Sequence, residues 1–465
     1  MRACKFVKPL IRLVLLAVIG LSAEGVRAQI AFIGVFVDSS NSSMPVPVTN
    51  NAVTGYGESS QFRAYSFGGI DSTLVWSGIR QVAVRYDRYD DTWTVLPSMP
   101  DTLGKIASGA STVGDRIYVI GGYHVLDDGS ELSSDRVHIF DPITDTWLPD
   151  GTPVPVPIDD HVQVVYNDSL IYVITGWSNT TNVADVQIYN TALDTWQVGT
   201  SVPNTSQYKV FGASGAIIGD TIYYIGGARF GVNFPLGGFM RKGVIDPDNP
   251  TLITWSVTVD SLADRYRGVA AFEKPYWTSK DRLAEFWIGG SRTSYNYNGI
   301  AYNGSGPVQP ESTFIGTYFE GSPLITLETG LIAEQSAIMD LRGIAIDGDA
   351  TSPEMTVLGG MRQNRRVWGK ALNFRLYYSG LPSLESGQLQ LLPTITSGPF
   401  QIQPQGALIS APADVVVVDL HGREVLRTRV SVPARIDLSD QPVGIYHVVL
   451  ALDNQRWQGK VVVAR

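Results

Sequence analysis

A chain of 465 residues with 44 % hydrophobic and 17 % charged side chains holds enough apolar material for a large core, which excludes a disordered or collagen-like polymer. Its formal charge of −9 repels phosphate, so nucleic acid is not an expected partner. The 47 Gly and 26 Pro, set among 21 Tyr, 16 Phe and 10 Trp, describe many turns joining aromatic-rich strands, an all-β composition. The single cysteine, Cys4, lies in a segment expected to be removed. The mature chain should then have no disulfide, no thiol nucleophile and no Cys-based zinc or iron–sulfur site; no cofactor and no metal are expected.

Residues 1–28 carry Arg2, Lys5, Lys8 and Arg12, then the apolar run Leu13 to Leu21, then Val26-Arg27-Ala28 with small side chains where signal peptidase needs them. This predicts a secretory signal peptide cut before Gln29. The rival reading, a membrane anchor, needs about 20 continuous apolar residues, roughly twice what the run supplies. No later stretch is apolar enough to span a bilayer, so the mature chain is expected to have no transmembrane segment.

A repeat with a period near fifty residues follows. One copy reads Asp115-Arg-Ile-Tyr-Val-Ile-Gly-Gly122 and then Val137-His-Ile-Phe-Asp-Pro-Ile-Thr-Asp-Thr-Trp147; the next reads Asp168-Ser-Leu-Ile-Tyr-Val-Ile-Thr-Gly176 and then Val186-Gln-Ile-Tyr-Asn-Thr-Ala-Leu-Asp-Thr-Trp196. Weaker copies carry Phe67-Gly68-Gly69 with Trp93, and Ile222-Tyr-Tyr-Ile-Gly-Gly227 with Trp255. Two more keep only the diglycine, at Gly289-Gly290 and Gly359-Gly360. Each unit makes a small antiparallel sheet that is buried only by stacking on its neighbours. The glycine pair suits a tight turn where chains approach closely, the tryptophan can pack between sheets, and the Asp residues cap the turn between third and fourth strands.

These residues resemble the kelch motif, and six copies over residues 29–388 imply a six-bladed kelch-type β-propeller of four-stranded blades. Sialidase-type Asp boxes share the Asp and Trp but need an intervening Gly that is missing here. The last copy lacks an outer strand after Tyr377-Tyr378, so Ile30 to Val37 is expected to close the ring by joining the last blade.

From about residue 389 the pattern changes to Asp414-Val-Val-Val-Val-Asp419, His421-Gly422-Arg423-Glu424, Ile436-Asp437-Leu438-Ser439, Val443-Gly-Ile-Tyr-His-Val-Val-Leu450 and Gly459-Lys-Val-Val-Val-Ala-Arg465, the short strands of a small immunoglobulin-like β-sandwich. This order resembles the type A sorting domain of the type IX secretion system. It implies an outer-membrane secretion machinery as partner of residues 389–465, and a protein secreted from, or attached to the outer surface of, a Gram-negative bacterium. The family's usual Pro-Asn-Pro is replaced by Leu392-Pro393-Thr394, and an immunoglobulin-like adhesion module is the other reading of the segment. Charge follows the same division: residues 29–388 hold 23 basic and 37 acidic side chains, or −14.

Propellers place ligands where loops entering the innermost strands meet loops leaving the diglycine strands. Lys105, His161, Lys209, Arg267 and Arg342 enter inner strands; His124, Trp177, Arg229, Arg292 and Arg362 follow diglycine strands. Arginine forks suit carboxylate, sulfate or phosphate, and Trp177, Tyr123 or Tyr295 suit a sugar ring, so an anionic glycan is a reasonable ligand. The bland reading keeps these cations for bonds inside each repeat. Asp159-Asp160-His161 offers a metal ligand set or a base against a solvated turn. Asp127-Asp128-Gly129 lacks the spaced oxygens of a calcium loop, and His138 reads as a structural strand residue.

Two enzyme families share the kelch propeller. Galactose-oxidase-like chemistry needs a copper site with a Tyr–Cys cross-link, which a mature chain without Cys cannot form. Sialate mutarotases are similar in blade number and exported location; that fold-level likeness implies a basic, carboxylate-binding mouth with an acid/base, for which Arg267, Arg342 and Glu334 are candidates. The leading expectation is a secreted or surface-displayed binding or adhesion propeller with a glycan or protein ligand. The alternative is a sugar-acid enzyme of the mutarotase kind; a structural surface protein is a third.

Overall fold

A computed structural model describes residues 31–273, 284–318, 325–328, 337–347, 354–379, 387–404, 412–419, 424–452 and 455–464. Residues 1–28, expected to be a signal peptide, and Glu334 and His421-Gly422-Arg423 lie outside the described residues. The chain divides into two compact units, one of residues 31–379 and one C-terminal from residue 380.

In the first unit each repeat forms a four-stranded antiparallel sheet, and six such sheets follow one another in a multi-bladed, propeller-like, all-β architecture. The third is typical: Val162–Tyr166, Leu170–Ile174, Val186–Asn190 and Thr195–Val198 pair in that order from the axis outward. The innermost strands are Ala52–Tyr56, Gly109–Val113, Val162–Tyr166, Phe211–Ile218, Val269–Glu273 and Ala345–Asp347. Second strands such as Arg116–Ile120 and Leu170–Ile174 are buried on both faces, which explains their unbroken apolar runs. The outer strand of the sixth sheet comes from the other end of the unit: Ala31–Ser39 pairs antiparallel with Ala371–Ser379, Val37 opposite Phe374. This is the ring closure expected of Ile30 to Val37.

The repeat residues act between sheets. The indole N–H of Trp147 donates to the Pro97 carbonyl (2.8 Å), that of Trp196 to Thr152 (2.8 Å) and that of Trp255 to Thr200 (2.9 Å), each carbonyl lying just past the preceding sheet. Asp141 Oδ1 accepts from the amides of Ile143 and Thr144, and Asn190 Oδ1 from those of Ala192 and Leu193, capping the turns into the fourth strands.

The diglycines sit where a Cβ has no room. Gly226 has φ +69, and a Cβ there would lie 1.9 Å from the Arg265 carbonyl oxygen of the next sheet. In the third sheet Thr175 takes the matching place at φ 46, and its hydroxyl contacts the Val183 and Val210 carbonyls at 2.8 and 3.1 Å, which offsets the strain. Alanine has no such donor. Gly226→Ala is therefore expected to destabilise the unit by about 3 kcal/mol, left-handed strain plus overpacking, as measured by denaturant unfolding; a loss under about 1 kcal/mol would show that the sheets slide apart freely.

The C-terminal unit is a continuous network of strands. Ala413–Asp419 pairs with Glu424–Val430 and Gly444–Leu452; the latter pairs antiparallel with Gln455–Val463, beside which Gly387–Leu392 runs parallel. Alternation builds its core: Val415, Val417, Tyr446, Val448, Leu450 and Trp457 are buried. Gly387 and Gln388 already belong to this sheet, so its first strand begins just ahead of the composition change at residue 389.

Candidate functional site

Inner strands rich in Gly, Ala, Ser and Thr let six sheets meet while leaving space on the axis. The result is a channel of about 280 Å³ lined by Gly55, Gly109, Ala110, Ala213, Gly215, Ala271 and their neighbours, with Thr54, Ser111, Thr112, His161, Gln163, Ser214 and Arg342 as its polar groups.

One end of this channel is closed by a backbone ring. At the entrance to each inner strand one residue is left-handed: Asn50 (φ 56), Ala107 (φ 59), Asp160 (φ 47), Gly212 (φ 67, the second residue of its strand), Arg267 (φ 51) and Asp340 (φ 62). Their peptides join head to tail. The amide of Ala107 donates to Asn50 O (3.2 Å), Asp160 to Ala107 O (3.0 Å), Gly212 to Asp160 O (2.8 Å), Arg267 to Gly212 O (2.8 Å), Leu341 to Arg267 O (2.9 Å) and Asn50 to Asp340 O (2.9 Å). Asn and Asp tolerate this conformation; Ala107 and Arg267 are held in it by the ring.

Three ring side chains are charged and meet on the axis. Arg267 donates through Nη2 to Asp160 Oδ2 (2.6 Å), through Nε to both Asp160 oxygens, and through Nη1 to Asp340 Oδ1 (3.3 Å). Arg342 Nε lies 3.5 Å from Asp160 Oδ1, and its Nη2 donates to the His161 carbonyl (2.6 Å). Burial works against the Arg267 charge, but Asp160, Tyr266, Tyr123 and Asp340 together outweigh it, so the guanidinium pKa is pushed up. Burial raises the Asp340 pKa, opposed by Arg267, and drives Asp159 well above the carboxylate range with the Asp160 charge adding to it.

His161 faces the channel. Gln163 Nε2 donates to Ser111 Oγ (2.9 Å), which fixes Gln163 Oε1 as an acceptor; His161 Nε2 donates to it at 2.9 Å. The other ring nitrogen, Nδ1, is buried with a free lone pair. Burial, helped by the Arg342 charge, pushes this imidazole down to about 4, so it is neutral at pH 7.

The structure thus brings His161, Arg267 and Arg342 together and disperses the other expected site residues. The basic mouth anticipated between the loops is closed: Tyr123, Phe211, Tyr266, Tyr295, Met339 and Met361 pack over the ring, and the Arg267 guanidinium carbon lies 5.1 Å from the Tyr266 ring centroid. Lys105 is buried elsewhere, 3.3 Å from Asp101, with burial lowering its pKa to about 8. Asp101 also meets His138 Nε2 (3.0 Å), whose Nδ1 meets Asp150 (2.9 Å), while His124 Nδ1 donates to Gly104 O (2.9 Å). Lys209 is half-buried ahead of the fourth sheet. Trp177 packs on Phe211, Phe230 and Phe234. Arg229 Nη2 donates to Leu236 O (2.9 Å) in its own loop, exposed Arg292 pairs with Glu311 (3.4 Å), and Arg362 lies 3.7 Å over Trp368.

The neighbours Asp159, Asp160 and His161 have separate tasks: Asp159 accepts from Ser133 Oγ (2.5 Å), Asp160 joins the ring and His161 faces the channel. Among the described residues, no group of three or more His, Cys, Asp or Glu side chains is placed to hold a metal ion. Asp128 closes an exposed turn by accepting from Ser130 N (2.9 Å) and Oγ (2.6 Å). Sequence reasoning missed Asp340 and the ring itself. Aligning the residue just ahead of each inner strand would have exposed the Asp160, Arg267 and Asp340 set.

Fold and channel define the class: an all-β, multi-bladed propeller-like protein with a kelch-domain signal. The Kelch motif family matches residues 107–149, the second sheet with its ring residue Ala107. The chain is similar to Kelch-like protein terF of Aspergillus terreus (strain NIH 2624 / FGSC A1156), 28 % identical over 170 residues that cover 34 % of this chain and 35 % of that protein. The chain therefore spans about a third of that relative's length. It is also similar in fold to the solved structure of YjhT, with a TM-score of 0.52, 16 % identity, and coverage of 71 % of this chain and 95 % of that one. Among the described residues no helix is long and apolar enough to cross a membrane.

Proposed function

We propose that this chain is an exported six-bladed kelch-type propeller acting on a small acidic sugar in its axial channel, the sugar-acid reading rather than the adhesion one. The observation that carries this is a neutral imidazole with a free Nδ1 beside a buried arginine in a channel closed at one end. Exchange of anomers needs a base to take the anomeric hydroxyl proton as the ring opens and an acid to protonate the ring oxygen. His161 Nδ1 takes the proton and returns it, Arg342 holds the carboxylate, and the bound anion itself raises the basicity of the imidazole. Ser111, Thr112 and Ser214 supply hydroxyls for the sugar. The volume, about 280 Å³, is at the small end of ligand sites, which run to about 300–1,000 Å³, and favours one monosaccharide.

Calorimetric titration with N-acetylneuraminate and glucuronate against glucose tests the reading, with anomer exchange followed by NMR. Arg342→Met should weaken binding of the acids at least tenfold. His161→Gln should keep binding and slow exchange about 100-fold, the ordinary weight of a general base. A wild-type chain that takes neither acid would overturn the proposal and return the protein to adhesion, through the loop that exposes Phe230 and Val232.

The C-terminal unit is read as an immunoglobulin-like sorting module for the type IX machinery, supported by the residue order noted above and by its separate core. Residues 1–28 and 380–465 fused around a reporter should carry it to the medium or outer surface of a bacterium that has this machinery; a reporter held in the periplasm would remove that assignment.

A further inference from the structure

On the sixth sheet, the hairpin that follows the diglycine concentrates positive charge in a propeller that is otherwise acidic. Met361–Arg362 pairs with Arg366–Val367, and the register sets Arg362 directly opposite Arg366. Like charges across a strand pair oppose each other. Both guanidiniums lie on one indole, their carbons 3.7 and 5.6 Å from the Trp368 ring centroid, and the indole face offsets part of that repulsion. At the tip Asn364 (φ 58) and Arg365 (φ 60) are both left-handed, and Arg365 Nε is fixed by donating to Asn298 O (2.6 Å). The third arginine, next in sequence to Arg366, is thereby held against the Asn298 loop at the same tip.

Eleven described arginines of this unit pair with a carboxylate within 4.0 Å. Arg365 and Arg366 pair with none among the described residues, and Arg366 is exposed. Two adjacent unneutralised forks at a tip, that of Arg365 anchored through Nε, are what an oxyanion fits.

We infer that this hairpin is a binding site for a short, densely acidic oligosaccharide, whose carboxylate or sulfate groups bridge Arg365 and Arg366. The excess of acidic residues over the rest of the propeller repels a long polyanion and limits the ligand to a few sugar units. The site is separate from the axial channel, which is too small for such a ligand, and it stands whether or not the channel takes a sugar acid.

The test is calorimetric titration of the full chain with a heparin-derived tetrasaccharide at low salt, with neutral cellotetraose for comparison. The wild type should bind only the acidic tetrasaccharide, and rising salt should weaken it. Arg365→Gln/Arg366→Gln should raise Kd at least tenfold without changing the melting temperature. Arg429→Gln, an exposed arginine of the C-terminal unit, should leave Kd unchanged. Equal affinity for the two tetrasaccharides, or a double variant that binds like the wild type, would overturn the inference.

Discussion

Arg267→Met should cost this protein about 3–5 kcal/mol of unfolding free energy, the penalty for removing one partner from a buried ion pair. Arg267 is 1 % exposed and bonded to both Asp160 and Asp340, which are also almost wholly buried. Without the guanidinium two carboxylates face each other in the closed end of the channel. Asp340, whose pKa is already raised by burial, can relieve part of this by taking a proton. Arg267→Met/Asp160→Asn should therefore recover a substantial part of the loss, because the charge left uncompensated is smaller. Arg267→Lys should fall between, since an ammonium cannot reproduce the fork on Asp160 while reaching Asp340. Chemical denaturation of the three variants measures this; an Arg267→Met loss under about 1 kcal/mol would mean that the ring does not hold the axis.

Acid should unfold the wild type through His161. The imidazole is held at about 4 in the folded chain against 6.5 for an ordinary histidine. Between these values the unfolded chain binds the proton and the folded chain does not, so the contribution is complete above pH 6.5 and lost as pH falls through 4. It amounts to about 3 kcal/mol. Other groups respond to acid as well. The Asp101 carboxyl, opposed by burial but held down by the His138 hydrogen bond and the Lys105 charge, contributes stability that is lost only below its ordinary value of 3.8, under the His161 window. Asp159 and Glu285, raised by burial, act oppositely and cost stability as pH rises through their folded values. The His161 share is therefore read as a difference: His161→Gln should flatten the stability curve between pH 6.5 and 4 relative to the wild type. Parallel curves would show that the buried imidazole is protonated in the folded state.

Much of the architecture is legible in the sequence because its signals are local. Gly226-Gly227, the Asp141 cap and Trp147 each act within one hairpin or between consecutive sheets, so a repeat reader meets them at a fixed spacing. The outer strand Ala31–Ser39 was also legible, by elimination, since the last repeat lacked its own. The candidate site was legible only in part. His161, Arg267 and Arg342 stood among ten expected residues with nothing to separate them from Lys105 or Arg292, which the fold assigns to ion pairs elsewhere.

By itself, then, the sequence determined the strand pattern, the repeat and the sheet-to-sheet seams, because turns, glycine conformation and aromatic packing depend on neighbours a few residues away or one repeat apart. Only the tertiary structure decided which charges meet. Arg267 and Asp160 are 107 residues apart, Arg267 and Asp340 73, and Arg342 and His161 181. Their pairing follows from ring closure, which brings distant strand entrances to one axis, where burial leaves a charge no partner but another charge.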